Sequence, residues 1–243
     1  MIPLHDDNPT DIFPVFTVLF IAVCVLAFFW QSSLGAEGNQ VAIYGLGVIP
    51  AVLTNKLALP PELFVIPAWQ TMFTSMFLHG GFMHLAGNML YLWIFGNNVE
   101  DAMGYVRFII FYFLCGLAAV AGQTMQDPGS QIPMIGASGA ISGVLGAYLL
   151  LYPHARVLVL IPLGFFSQLV RLPAGWVLAL WFAIQIFSSA ISNSEGGGVA
   201  WFAHIGGFVA GMALVPLFKQ KRVKLFMPGH GSRKYTRRVG RHD

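Results

Sequence analysis

The chain has 243 residues, of which 56% are apolar and only 9% charged, against about 25% charged in soluble proteins. Mean hydropathy is +0.70, which excludes an ordinary water-facing surface. It also argues against a nucleic-acid partner, because the nominal charge of +3 is not spread as a basic face but gathered at one end.

Residues 1–11 hold Asp6, Asp7 and Asp11 and no Lys or Arg. A signal peptide needs a basic region ahead of its apolar run, so residues 12–31 read as a retained first span. Its length, about 20 residues, matches a hydrocarbon core of about 30 Å. Residues 32–81 follow as a long connection interrupted by Pro50, Pro60, Pro61 and Pro67. This stretch reads as a loop lying in the membrane interface, with Trp69 and Phe73 as its anchors. Residues 82–97 form a short second span carrying His84 and Asn88, and residues 105–123 a third. The fourth runs from Ser138 to Tyr152, where Pro153 stops it. Residues 156–173, apolar but broken by Pro162, Gly164 and Arg171, read as a cytoplasmic connection. A fifth span covers 175–191, and a glycine-rich loop at 194–198, free to lift, leads to the sixth at 201–218. The tail, 219–243, reads as disordered and held near anionic headgroups by its basic residues. Cys24 and Cys115 lie in apolar runs and read as packing residues.

Six spans put both termini on one side. Nine Lys and Arg lie in the tail, and Arg107, Arg156 and Arg171 share its side; of thirteen such residues only Lys56 is opposite. The positive-inside rule therefore places the termini in the cytoplasm. The expected organisation is a cytoplasmic segment (1–11), a six-helix domain (12–218) and a basic cytoplasmic tail (219–243).

On this topology His84, Asn88, Ser138 and His204 all fall near the outer ends of their spans. Polar groups in a bilayer are costly, so four converging at one depth point to a site. The fourth span covers only about 22 Å at about 1.5 Å per residue, and its outer end should sit below the lipid surface. Irregular backbone at that depth must be buried in protein or face water, so a water-filled pit is expected there. Ser138 lies in Gly136-Ala137-Ser138-Gly139, where a loop becomes a helix, and its N–H is among the unpaired donors of that start. Position 140 is Ala and no strand precedes the motif, so it is not the nucleophile elbow of soluble hydrolases. His204 is placed to act as general base toward Ser138. His84 and Asn88, at i and i+4, share a face and can both donate to an oxyanion. With no acidic residue central in any span, the reading is a Ser–His dyad.

Each residue has a plainer reading. Gly139 with Gly143 and Gly207 with Gly211 are spaced for close helix packing, and His84, Asn88 and His204 for interhelical hydrogen bonds. His79 reads as a tie for the loop and Gln185 as structural. A zinc site of His79, His84 and His204 lacks the His-Glu-x-x-His spacing, and no cofactor or metal is expected. A transporter would favour inverted repeats, and no internal symmetry is visible.

Three segments taken together, His79-Gly80-Gly81-Phe82-Met83-His84-Leu85-Ala86-Gly87-Asn88, Gly136-Ala137-Ser138-Gly139 and His204-Ile205-Gly206-Gly207, resemble the rhomboid intramembrane serine proteases. The likeness covers about residues 69–218. It implies an all-α membrane protein, a six-helix rhomboid-like bundle with a long interfacial first loop. Ser138 would be the nucleophile and His204 the base, with an oxyanion hole from the Ser138 N–H, His84 and Asn88. The implied substrates are single transmembrane helices, cut near their outer ends at small residues and helped by helix-loosening ones. The implied location is the inner (plasma) membrane. The alternative is an inactive relative that binds transmembrane helices, which should lack nucleophile or base. Two departures stand out: Gln70 follows Trp69 where many relatives carry Arg, and Ser142 replaces an aromatic that stacks on the histidine, leaving a hydroxyl contact as its expected substitute.

Overall fold

In the computed structural model the described residues are 1–163, 166–191 and 199–227. Among these described residues four helices are long and apolar enough to cross a membrane: α1 (Val15–Ser33), α7 (Tyr105–Gln126), α9 (Ala174–Ile191) and α10 (Trp201–Phe218). With the shorter α8 (Ser138–Leu151) and the helix from Phe82 they make an integral multi-pass membrane bundle.

The second span departs from its expected end. α5 (Phe82–Tyr91) continues through a π-helical turn, Leu92–Gly96, into α6 (Asn97–Met103), and Gly104 at φ 79° terminates it. Its positive φ is a backbone conformation that glycine adopts without the cost a side chain would add. Two of the polar residues that look like a span end, Asn98 and Glu100, are buried and bonded inside the protein. The Glu100 carboxylate is fully buried and accepts from the Phe16 and Thr17 N–H groups at 2.9 and 2.8 Å and from Thr17 Oγ1 at 2.7 Å. It thereby caps α1, whose first N–H groups have no carbonyl a turn behind them. Asn98 donates to the Asn8 carbonyl at 2.9 Å.

At the centre α8 is buried on nearly every side, from Ala140 through Tyr148, with α7 and α10 packed against it. Glycines permit the approach. A Cβ on Gly207 would collide with the Gly139 carbonyl oxygen, one on Gly211 with that of Gly143, and one on Gly146 with that of Phe208. Small residues let helix backbones close in where lipid offers no hydrophobic drive to association. The glycine pairs at 139/143 and 207/211 thus face each other. Their closeness is what brings the N-terminal ends of α8 and α10 together.

At the other end of α8 lies a three-stranded sheet that the sequence did not announce. β1 (Ile2–Asp6) pairs antiparallel with β2 (Arg156–Leu163), and β2 with β3 (Phe166–Pro173). The terminal segment and the connection at 156–173 therefore carry strands that pair with each other. The run Val157 to Ile161 is rich in strand-forming residues, with Val157 and Val159 buried. Pro162 and Pro173 sit near strand ends, where a missing donor is tolerated. The start of the tail is ordered too. Gln220 donates its N–H to the Ala102 carbonyl, Phe226 and Met227 to those of Leu150 and Leu151, and Val223, Leu225 and Met227 pack on the core. The expected disorder of 228–243 falls outside the described residues.

The first loop contains α2 (Gly35–Leu46), α3 (Pro50–Leu53) and α4 (Ala68–Thr74). It is braced by backbone pairing of Val48 with Met134, by Thr54 Oγ1 on the Pro128 carbonyl at 2.7 Å and by Thr74 Oγ1 on that of Leu46 at 2.6 Å. Trp69, Phe64 and Val65 are exposed. Phe73 is half-buried, and its ring packs on Phe113 at 5.9 Å.

Candidate active site

Ser138 is the first residue of α8, and His204 lies one turn into α10. His204 Nε2 is 2.9 Å from Ser138 Oγ, within hydrogen-bond reach of a nucleophile and its base. The other ring nitrogen, Nδ1, is 2.7 Å from Gln185 Oε1 on α9. Two indoles bracket the imidazole, Trp181 at 5.8 Å and 38° and Trp201 at 6.2 Å and 88° between ring planes. The expected hydroxyl contact to His204 is not made. Ser142 is buried and donates to the Ser138 carbonyl at 2.6 Å, a bond back to its own helix that turns Oγ away from the histidine. Trp181, Trp201 and Gln185 occupy the histidine's surroundings instead.

His84 and Asn88 lie on one face of α5, against Gly136. Gly136 has φ +124°, and a Cβ there would come within 2.8 Å of His84 Nε2 and 3.6 Å of Asn88 Nδ2. The absence of a side chain lets both groups approach the backbone two residues before Ser138. Gly80 N–H donates to His84 Nδ1 at 3.4 Å, which leaves Nε2 as the protonated nitrogen of the neutral ring. Asn88 is buried, and its Nδ2 has no hydrogen-bond partner among the described residues. The Asn88 amide is thus an unpaired donor close to Gly136, two residues before Ser138, the kind of group an oxyanion needs.

The plainer reading of His79 fits its surroundings. The side chain is buried, the His79 backbone N–H donates to Gln31 Oε1 at 3.0 Å, and ring Nδ1 lies 3.3 Å from the Phe77 carbonyl. Gln31 also donates to Asn39 at 3.1 Å, so the pair ties the end of α1 and α2 to the start of α5. Among the described residues no three His, Cys, Asp or Glu side chains gather to hold a metal. The glycine-rich loop at 194–198 lies outside the described residues.

Beside Ser138 is a small cavity of about 40 Å³, walled by Gly116, Ala119, Gly139 and Ala203 among others. A larger one of about 390 Å³ lies in the first loop, between Tyr44, Lys56 and Phe64, and includes none of the site residues.

Sequence reasoning missed Gln185. Its signal was present, a lone amide in an apolar span, but nothing in the order of residues says which helix it faces.

The family model described as Rhomboid domain matches residues 67–221. The Rhomboid protease GluP of Bacillus subtilis (strain 168) is 32% identical over 199 residues, covering 82% of this chain and 34% of GluP. Rhomboid protein 1, mitochondrial, of Saccharomyces cerevisiae (strain ATCC 204508 / S288c) is 29% identical over 183 residues, 72% of this chain and 49% of that protein. A second Bacillus subtilis protein, YdcA, is 27% identical over 158 residues, 65% of this chain and 71% of YdcA. The chain spans about a third of GluP and about half of the yeast protein. With a match over more than half its length, and with a bundle of apolar helices around the matched motifs, the chain belongs to the rhomboid family.

Proposed function

We propose that this protein is an intramembrane serine endopeptidase that uses Ser138 as nucleophile and His204 as general base. The observation that carries this reading is the 2.9 Å contact between His204 Nε2 and Ser138 Oγ, with His84 and the unpaired Asn88 amide set against Gly136 two residues before the serine. His204 takes the serine proton as Oγ attacks the scissile carbonyl carbon. The Ser138 N–H, His84 Nε2–H and Asn88 amide stabilise the oxyanion. His204 then returns the proton to the leaving amine, and water, activated by the same imidazole, hydrolyses the acyl-enzyme.

The substrates we infer are single transmembrane helices. A cavity of about 40 Å³ beside the serine suits a side chain of methyl or hydroxymethyl size, which favours cleavage after small residues. The basic residues on one side support termini in the cytoplasm and a site opening to the outer face of the inner membrane. The inactive-relative reading fits less well, because nucleophile and base are both present and in contact.

A fluorophosphonate probe tests the proposal without a known substrate. Wild-type protein should be labelled at Ser138, and Ser138→Ala should take up no label and cleave no model transmembrane substrate. Near-wild-type cleavage by purified Ser138→Ala would overturn the serine mechanism.

A further inference from the structure

We propose that Gln185 is a positioning residue that sets the tautomer and ring orientation of His204, making the catalytic unit a Ser138–His204–Gln185 relay with a neutral amide in third place. The inference rests on the protease reading above and goes beyond its dyad.

The argument starts from which way the amide points. Gln185 Nε2 donates to the Trp181 carbonyl one turn back at 3.2 Å. A carbonyl oxygen can only accept, so the amide nitrogen faces Trp181 and Oε1 faces His204; the hydrogen-bond network assigns the orientation. Oε1 is likewise only an acceptor, so the 2.7 Å contact requires a proton on His204 Nδ1. In a neutral imidazole one nitrogen donates and the other accepts. Nε2 is therefore unprotonated and free to accept the Ser138 hydroxyl proton across 2.9 Å. Each link fixes the next: Trp181 carbonyl, Gln185 amide, His204 ring, Ser138 hydroxyl.

Burial makes the relay rigid. Gln185 is 5% exposed and is the only amide in α9, which is otherwise apolar apart from Ser188 and Ser189 near its end. An unpaired amide there would be costly, so both of its bonds hold it in place. The Trp181 and Trp201 rings confine the imidazole from two directions. When His204 accepts the serine proton, Nδ1–H keeps its bond to Oε1, and the amide dipole rather than a full negative charge faces the imidazolium. A carboxylate at this depth in the bilayer would carry the larger desolvation cost. A glutamine supplies the orientation a base needs from a third group without that cost.

Three variants and one spectrum test this. Gln185→Met keeps size and shape but removes the acceptor, and should lower kcat about 10- to 100-fold, part of the roughly 10²–10⁴ a general base contributes, with KM within about twofold. Gln185→Glu restores an acceptor for Nδ1–H and should recover most of that loss, whereas packing alone would rank Met above Glu. Gln185→Leu should behave as Met. In the wild type, 15N spectra of histidine-labelled protein should show the His204 proton on Nδ1, and in Gln185→Met a mixture of tautomers. Melting temperatures identify any variant that fails to fold, and the wild-type spectrum alone then decides the tautomer. Unchanged kcat in Gln185→Met, or a wild-type proton on Nε2, overturns the proposal. An unlabelled wild-type Ser138 instead overturns the protease reading, and the catalytic role of Gln185 with it.

Discussion

Asn88 separates two accounts of the same atoms. Its amide nitrogen is buried without a partner among the described residues, one turn along α5 from His84 and 3.6 Å from where a Cβ on Gly136 would stand. If the amide meets the oxyanion only as charge develops, Asn88→Ala should lower kcat by about 10²–10³ with little change in KM. A packing role predicts instead a small loss of melting temperature, since interhelical hydrogen bonds in membranes average about 0.6 kcal/mol. Turnover per folded molecule in Asn88→Ala and His84→Ala decides; normal values in both would remove these side chains from the mechanism. Ser138→Ala and His204→Ala should each abolish cleavage, and the double variant should be no worse, because groups acting as one unit lose activity non-additively.

Two contacts between elements can be tested by stability. α8 and α10 meet where Gly207 and Gly211 lie against the carbonyls of Gly139 and Gly143. Gly207→Ala must push the helices apart, at a cost of about 1–3 kcal/mol for overpacking. It should also lengthen the Ser138–His204 contact, so melting temperature and fluorophosphonate labelling should fall together. Gly87→Ala is the control, since a Cβ there meets nothing within 4 Å; full labelling in Gly207→Ala would show that the glycines do not set the site. At the opposite end Asp6, in β1, is buried beneath Tyr148, whose hydroxyl donates to Oδ2 at 2.6 Å. Burial pushes the Asp6 carboxyl up from 3.8 to about 6. The folded state then binds this proton more tightly than the unfolded one. Its stabilising effect is complete below about pH 4 and is lost as pH rises through about 6. Asp6→Asn should therefore raise the melting temperature at pH 8 relative to wild type and leave it nearly unchanged at pH 4. An equal shift at both pH values would rule out the titration.

For the molecule as a whole, one end gathers β1, the β2–β3 hairpin, the α6–α7 junction and residues 219–227. Asp11 N–H donates to Asp101 at 3.1 Å, and Arg107 Nη1 to the Lys219 carbonyl at 3.3 Å. Lys56 is far along the chain in the first loop, near the residues braced to Pro128 and Ser130. The proposed orientation predicts that Ala58→Cys reacts with a membrane-impermeant maleimide in intact cells and Lys221→Cys only after lysis. Cys24 and Cys115 are buried and should stay silent. Labelling of Lys221→Cys in intact cells would invert the topology.

The apolar spans were legible because hydropathy and length are properties of a contiguous stretch. The sixth span, 201–218, falls on the same residues in sequence and structure. Ser138, His204, His84 and Asn88 were visible as candidates because polar side chains in apolar helices are expensive wherever they point. What the order of residues does not hold is which surfaces meet. Gln185 reads as one more buried amide until α9 is set against α10. Glu100 marks a span end until α1 begins beside it, 83 residues away in sequence. Residues 2–6 carry no recognisable strand pattern until β2 offers an edge. Each of these depends on a partner distant in the chain, so only tertiary packing decides it: the free energy of a polar group is set by what pairs with it, and the pairing is made in space.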